Sequence, residues 1–392
     1  MAEKDSLSFI LNHLAEEREG YRGAVTPPIY ETSNFAFGSV AAMRAAGQDE
    51  LANAFYTRGN NPTVEILRRK LAALEGTEDA LVFGSGAAAM AAAVLACVRA
   101  GDHLVCVQKP YAWTRVLVRD WLPRFGIEVS FVDGADLAAV EAALTPRTKM
   151  IVLESPNSLT LELQDLAAIS ALARPRGIRT LCDNSYASPL LQRPAELGID
   201  LVMHSATKYL NGHSDVVAGV VCGPAAMIRE IFRGPYMTFG AIIGPFEAWL
   251  MLRGLRTLGV RMQRVQQSTA QVIEFLQRHP KIARVYYPGS PGDPQRELAQ
   301  RQMKGGSGIL SIEVAAHDLA GVERFCDSLK MFLLAVSWGG HESLAWPVAV
   351  AIRGGSAESN RTGLPWKLVR LSIGLEEPED LIADLDQALG RV

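Results

Sequence analysis

The sequence predicts an α/β fold in which a large, mostly parallel sheet is followed by a smaller C-terminal α/β domain. Apolar segments typical of buried strands recur along the chain, near residues 80–83, 104–107, 129–132, 150–153, 179–182 and 201–204. Helical segments lie between most of them, and a regular alternation of strand and helix favours a parallel sheet covered on both faces. Beyond residue 305, two further strands and two helices are enough for a second, smaller core.

The same pattern divides the chain into three parts. Residues 1–57 are predicted to form an N-terminal arm, with a short amphipathic helix over 8–19 and an extended segment at 26–28, where two prolines block helix. Residues 58–245 hold the alternating strands and helices of the large domain. Residues 246–392 are predicted to form a connecting helix and the small domain.

Composition excludes several classes of function. The chain has 392 residues, 48% of them hydrophobic, and a net charge of −3 without any basic stripe, which argues against a nucleic-acid partner. Its first residues are polar and no apolar run reaches the length of a membrane span. The five cysteines are scattered and include no CxxC pair, so we expect reduced thiols in a cytoplasmic protein. No metal site is predicted.

A lysine lies in unusual surroundings in segment 201–219, LVMHSATKYLNGHSDVVAG. Apolar strands precede and follow Lys208, and a lysine that loses hydration is favoured as a nucleophile toward a carbonyl. The hydroxyls of Ser205 and Thr207 could hold a phosphate. This combination suits a lysine that forms an imine with pyridoxal phosphate (PLP). The alternative is a surface lysine in a loop rich in serine and threonine.

Two strand ends carry further candidate groups. The apolar strand ending at Phe83 runs into a Gly-Ser-Gly turn that opens a helix at Ala87, and such a turn offers backbone N–H groups to a phosphate. The alternative there is an ordinary turn with Ser85 as the N-cap. Asp183 follows another strand and could pair with a protonated pyridine nitrogen. The alternative for Asp183 is a turn-forming Asp-Asn pair.

Three more residue groups complete the candidate site. Tyr111, just after a strand, could stack on a cofactor ring, or could be a half-buried tyrosine. Arg370 lies inside an apolar strand and could bind a carboxylate in bidentate fashion, or form an internal salt bridge. The turn Ser337-Trp338-Gly339-Gly340 could line a pocket, or be a plain loop.

Together these motifs resemble the PLP-dependent enzymes of cysteine and methionine metabolism, which include cystathionine β-lyase, cystathionine γ-synthase, cystathionine γ-lyase and methionine γ-lyase. The resemblance starts near Arg22 and runs over nearly all of the chain that follows. Its motifs are YTRGNNPT (56–63), FGSGAAAM (83–90), ESPNS (154–158), DNSYASP (183–189), HSATKYLNGHSD (204–215), LRGLRTLGVRM (252–262), SWGGHESL (337–344) and VRLSIGLE (369–376). The resemblance implies the type I, aspartate-aminotransferase-like fold, with a large PLP-binding domain.

The resemblance also implies roles for individual residues. Lys208 forms the imine and then acts as acid and base, and Tyr111 is the second catalytic residue. The cofactor-binding residues are Tyr56, Arg58, Gly86, Ala87, Tyr111, Asp183, Ser205, Thr207 and Lys208. The substrate-binding residues are Arg370, Ser337, Trp338, Tyr56 and Trp113. Because Tyr56 and Arg58 match residues that reach the phosphate from a neighbouring subunit, a homotetramer built as a dimer of dimers is expected.

Three features resemble the bacterial cystathionine β-lyases within the family: Ser158, Val336 and Trp338. We therefore expect α,β-elimination of cystathionine or a related cysteine thioether, which yields a thiol (homocysteine), pyruvate and ammonia. The alternative is γ-elimination or γ-replacement on a homoserine or methionine derivative. A third hypothesis is a cofactor-binding regulator without turnover, against which the intact lysine, aspartate and arginine argue. Trp113 departs from the family pattern and is expected to narrow the mouth of the site.

Overall fold

The computed structural model of the protein describes residues 6–353 and 356–392. Its residues cluster into two compact units. The first unit comprises the chain up to residue 155 together with 164–211 and 215–256. The second comprises residues 156–163, 212–214 and 257 to the C-terminus. Residues 1–5 of the predicted N-terminal arm lie outside the described residues.

The first unit is built on a seven-stranded sheet. Its strands are β1 (Asp79–Phe83), β2 (His103–Val107), β3 (Glu128–Val132), β4 (Thr148–Glu154), β5 (Arg179–Asp183), β6 (Leu201–His204) and β7 (Gly219–Gly223). Their order across the sheet is β1-β7-β6-β5-β4-β2-β3. All neighbours pair in parallel except β7, which runs antiparallel to both β1 and β6. The predicted α/β fold with a mostly parallel sheet is therefore confirmed.

Helices surround this sheet. They are α1 (Leu7–Asn12), α2 (Val40–Ala46), α3 (Pro62–Glu75), α4 (Gly86–Cys97), α5 (Ala112–Val116), α6 (Leu137–Ala142), α7 (Leu166–Ala173), α8 (Ser188–Leu191), α9 (Ala225–Ile231), α10 (Met237–Phe239) and α11 (Pro245–Arg256). Successive strand residues enter different cores: Leu104 and Met150 pack with α4, whereas Val105 and Ile151 pack with α7. Both faces of the sheet are thus covered, as parallel sheets require.

The strand register places polar residues side by side at one edge of this sheet. Glu154, the last residue of β4, pairs with Asp183, the last residue of β5, and Asp183 in turn pairs with Met203 of β6. Open α/β sheets bind ligands at the carboxyl ends of their strands. This edge is therefore where the candidate site is sought.

The second unit has its own five-stranded sheet, with the order β10-β11-β12-β9-β8. Its strands are β8 (Ile282–Tyr286), β9 (Ile309–Val314), β10 (Leu333–Leu334), β11 (Leu344–Pro347) and β12 (Leu368–Ser372). Its helices are α12 (Leu258–Arg278), α13 (Arg296–Gln302), α14 (Leu319–Asp327) and α15 (Pro378–Leu389). Apolar residues of β9, β12, α14 and α15 form its core.

The helix predicted over residues 8–19 is wrong in its second half. Helix α1 ends at Asn12, Ala15 has a φ of +61°, and only a short 3₁₀ turn follows at Arg18–Tyr21. The physical reason is Glu16, which the chain turns inward to meet the buried Lys70 of α3, with 3.1 Å between the carboxylate oxygen and Nζ. A buried ion pair here overrides the helical periodicity. No helix among the described residues is long and apolar enough to cross a membrane.

Candidate active site

The turn between β1 and α4 packs directly against residue Ser205. A Cβ atom placed on Gly86 would lie 2.9 Å from both Cα and Cβ of Ser205, and one placed on Gly219 would collide with the carbonyl of Ser85. Ser85 is the N-cap of α4, and its hydroxyl accepts the N–H of Ala88. Glycine at both positions therefore brings the positively polarised start of α4 beside Ser205, which suits a phosphate.

Asp183 is buried at the end of β5 and held by Ser185. Its Oδ1 accepts hydrogen bonds from the Ser185 backbone N–H at 2.9 Å and from the Ser185 hydroxyl at 2.5 Å. Burial raises the pKa of the Asp183 carboxyl, against the opposing effects of these hydrogen bonds and of the charges on His204 and Lys208. Because burial disfavours an isolated carboxylate, a cation is the partner that this group would bind best.

Lys208 is half-buried in the loop that follows β6. Its backbone N–H donates to the Ser205 carbonyl at 3.1 Å, which closes a tight turn between the two residues. The Thr207 hydroxyl donates to the Ala218 carbonyl at 3.2 Å and accepts the Ala218 N–H at 3.0 Å. The Thr207 hydroxyl must therefore give up its hydrogen bond to the Ala218 carbonyl before it can donate to a phosphate.

Tyr111 stands at the start of α5, where a buried glutamate fixes its backbone. Oε2 of Glu154 accepts the Tyr111 N–H at 2.5 Å. Sequence reasoning missed Glu154, although an acid directly after the apolar run 150–153 of β4 was a usable signal. Trp113, two residues beyond Tyr111, is 63% exposed.

Tyr56 and Arg58 lie together in the segment before α3 and are both exposed. The guanidinium carbon of Arg58 is 5.4 Å from the centroid of the Tyr56 ring, a cation–π contact. Tyr56 also forms a β-bridge with Asn34. Their action from a neighbouring subunit stays a prediction.

The second unit holds Arg370, which is predicted to bind the substrate carboxylate, and the predicted substrate-binding residues Ser337 and Trp338. Nη2 of Arg370, on β12, donates to the Ser337 carbonyl at 3.1 Å, and its guanidinium carbon lies 5.7 Å from the centroid of the Trp346 ring. These contacts orient the guanidinium. Trp338, which follows Ser337 in the sequence, is only 8% exposed, so most of its indole packs within the protein.

Comparison with known proteins identifies the family. Residues 10–390 match the family described as "Cys/Met metabolism PLP-dependent enzyme". The chain belongs to this family. An L-methionine gamma-lyase of Pseudomonas putida is 39% identical over 96% of the chain and 95% of its own length. A cystathionine gamma-synthase of Mycobacterium tuberculosis is 41% identical over 95% of both chains. The crystal structure of metB from Corynebacterium glutamicum superposes with a TM-score of 0.90 at 35% identity, covering 98% of each chain.

Pyridoxal phosphate is the cofactor of this family, and the residues of the first unit fit it. The glycine-lined turn beside Ser205 offers a cradle for the phosphate. The buried Asp183 needs a cationic partner, and a protonated pyridine nitrogen is one. Lys208 stands three residues after Ser205, and its backbone N–H closes a tight turn with the Ser205 carbonyl. The type I fold implied by the resemblance is likewise confirmed.

The relatives within the Cys/Met-metabolism family favour a different reaction from the main one expected from the sequence. The proteins compared above are γ-lyases and γ-synthases by name, whereas α,β-elimination was the main expectation. They favour the alternative, in which the reaction takes place at Cγ. Lyase and PLP chemistry in methionine and cysteine metabolism is common to both alternatives.

Proposed function

We propose that this PLP-dependent enzyme acts at Cγ of methionine or of an activated homoserine derivative, by γ-elimination or γ-replacement. The observation that carries the proposal is the similarity to named relatives. Proteins that are 39–41% identical over nearly the whole chain are named L-methionine gamma-lyase or cystathionine gamma-synthase. Chemistry at Cγ was the alternative to α,β-elimination in the sequence analysis.

Two of the features that resemble a bacterial β-lyase are compatible with chemistry at Cγ. Trp338 is only 8% exposed, so little of its indole is available to restrict the substrate to one pose. Val336 is exposed and, by the family resemblance, stands where the γ-synthases carry a glutamate; a methionine γ-lyase lacks that glutamate as well.

The chain's own residues supply binding and proton transfer in this proposal. When bound, PLP acts as an electron sink for the substrate's Cα. Arg370 binds the substrate α-carboxylate, for which its planar guanidinium is suited. Nζ of Lys208 takes the proton from Cα and then serves a second proton transfer at Cβ, which departure of the group on Cγ requires.

The remaining residues position the cofactor and substrate. Gly86, Ala87, Ser205 and Thr207 would hold the phosphate, and Asp183 would pair with the ring nitrogen. Tyr111 would stack on the ring, held by Glu154 through its backbone N–H. Ser337, Trp338 and Trp113 are proposed to border the substrate.

We also propose a homotetramer, a dimer of dimers, in which Tyr56 and Arg58 complete the site of the neighbouring subunit. The exposure of both side chains supports this arrangement.

The arm, large domain and small domain are proposed at residues 1–57, 58–245 and 246–392. All five cysteines are free, which supports a cytoplasmic setting.

The test of the reaction is the keto acid that the purified enzyme releases. Matched concentrations of methionine, O-acylated homoserines and cystathionine are supplied, with and without cysteine as a second substrate. We expect 2-oxobutyrate to exceed pyruvate, with cystathionine formed instead when cysteine and an acylated homoserine are both present. Pyruvate as the dominant product from cystathionine would return the assignment to α,β-elimination.

A further inference from the structure

A carboxylate and an imidazole form a buried pair outside the residues assigned above. Glu75, in the last turn of α3, and His204, at the end of β6, are each 1% exposed, and Oε1 of Glu75 contacts Nε2 of His204. The other oxygen, Oε2, is buried and has no hydrogen-bond partner within 6–353 and 356–392. Burying an unpaired carboxylate oxygen costs free energy, and an acid at a helix C-terminus opposes the helix dipole. Stability alone therefore does not explain Glu75.

Hydrogen bonds link this pair to Asn184, the residue that follows Asp183. Nδ2 of Asn184 donates to Oε1 of Glu75 at 3.1 Å, and the Asn184 backbone N–H donates to the Met203 carbonyl at 2.8 Å. The residue after Asp183 is thus bonded to the glutamate, and also to the residue before His204. A positive charge on His204 lowers the pKa of Asp183, against the effect of burial.

His204 differs from Lys208, whose charge also acts on Asp183. Lys208 is proposed to exchange protons with the substrate, so its charge changes during the reaction. His204 contacts the buried carboxylate of Glu75 and has no part in the proposed proton transfers. The contact between Glu75 and His204 can therefore stay unchanged while protons move at Lys208.

We propose that Glu75 and His204 are positioning residues for the cofactor: through the hydrogen bonds of Asn184 they hold the carboxylate of Asp183 in place for the ring nitrogen. This inference rests on the proposed role of Asp183. It predicts that both residues matter only for a cofactor whose ring carries a nitrogen that can be protonated.

The experiment compares two ligands of the apoenzyme, PLP and an analogue with carbon in place of the ring nitrogen. Dissociation constants are measured by absorbance titration for the wild type, Glu75→Gln and His204→Gln. Both variants are expected to bind PLP about tenfold more weakly, which corresponds to the loss of about one charge-assisted hydrogen bond between Asp183 and the ring nitrogen. Their affinity for the analogue is expected to match that of the wild type.

A second buried ion pair, which involves Lys70 of α3, provides a matched control. Glu16 forms an equally buried ion pair with Lys70 of α3, 3.1 Å apart, at residues without a proposed role in the site. Glu16→Gln is expected to lower the melting temperature and to leave the ratio of the two dissociation constants unchanged. In an Asp183→Asn background, Glu75→Gln is expected to change that ratio no further, because its effect passes through Asp183.

Equal weakening of both ligands in Glu75→Gln and His204→Gln, or no weakening of either, would overturn the proposal. If Glu75→Gln does not fold, His204→Gln carries the same comparison. An Asp183→Asn protein with the wild-type ratio would instead refute the role of Asp183. The keto-acid assay is independent of both outcomes.

Discussion

Lys208 is the residue on which the proposed chemistry depends, and it lies half-buried beside Ser205. Replacing it with alanine removes the amine that is predicted to bond the cofactor and to move protons. Lys208→Ala is expected to lose the visible absorbance typical of the bound cofactor and at least about a thousandfold in turnover. Lys149→Ala, on the exposed side of β4, is the control and should retain both. Unchanged absorbance and turnover in Lys208→Ala would remove the central residue of the site.

Trp113 is the residue expected to narrow the mouth of the site, and it presents a large ring to solvent on α5. If the ring narrows the mouth, its removal opens space for larger substituents on sulfur. Trp113→Ala is expected to raise kcat/KM several-fold for bulky thioethers relative to methionine. Trp121→Ala, which removes a half-exposed ring from the segment Leu117–Trp121 after α5, should leave this ratio of kcat/KM values unchanged. Equal substrate profiles for both variants would show that the Trp113 ring points away from the site.

At the scale of elements, the contact between the start of α4 and the loop after β6 has no room for an added methyl group. Gly86→Ala places a Cβ 2.9 Å from two atoms of Ser205, so the turn must shift. We expect a loss of about 1–3 kcal/mol in the free energy of unfolding. We also expect at least about tenfold weaker PLP binding, since the helix N-terminus moves with the turn. Gly20→Ala, whose added Cβ would meet no atom within 4 Å, is the matched control. Wild-type PLP affinity in Gly86→Ala would place the phosphate elsewhere.

The elements themselves were largely predictable because their signals are local. Apolar runs marked strands β1 to β6, and the Gly-Ser-Gly turn marked the start of α4 within a few residues. Contacts between distant residues carry no such signal. His204 and Glu75 are 129 positions apart, and Tyr111 and Glu154 are 43 apart, so neither pair follows from periodicity. The inward turn of Glu16 likewise depends on Lys70 of α3.

For the whole molecule, the decisive question is whether one site draws residues from two subunits. Arg58→Ala and Lys208→Ala subunits are each expected to be inactive when alone. A hybrid of the two would contain one site with both residues intact. After random mixing at equal amounts, activity should recover to about a quarter of the wild-type value, because half of the subunit pairs are hybrids. No recovery, with hybrids demonstrated by mass spectrometry of the native assembly, would mean that each subunit completes its own site.

The single antiparallel strand of the large sheet has a consequence for the order of events during synthesis. Strand β7 lies between β1 and β6, yet it is the last of the seven to leave the ribosome. Until it inserts, β1 has no neighbour in the sheet, and Gly219 cannot meet the Ser85–Gly86 turn. Pairing over such long sequence separations is slow. A nascent chain that ends before residue 219 therefore contains Lys208 and Asp183 but lacks the strand that joins them to the turn, so the site matures only when the sheet is complete.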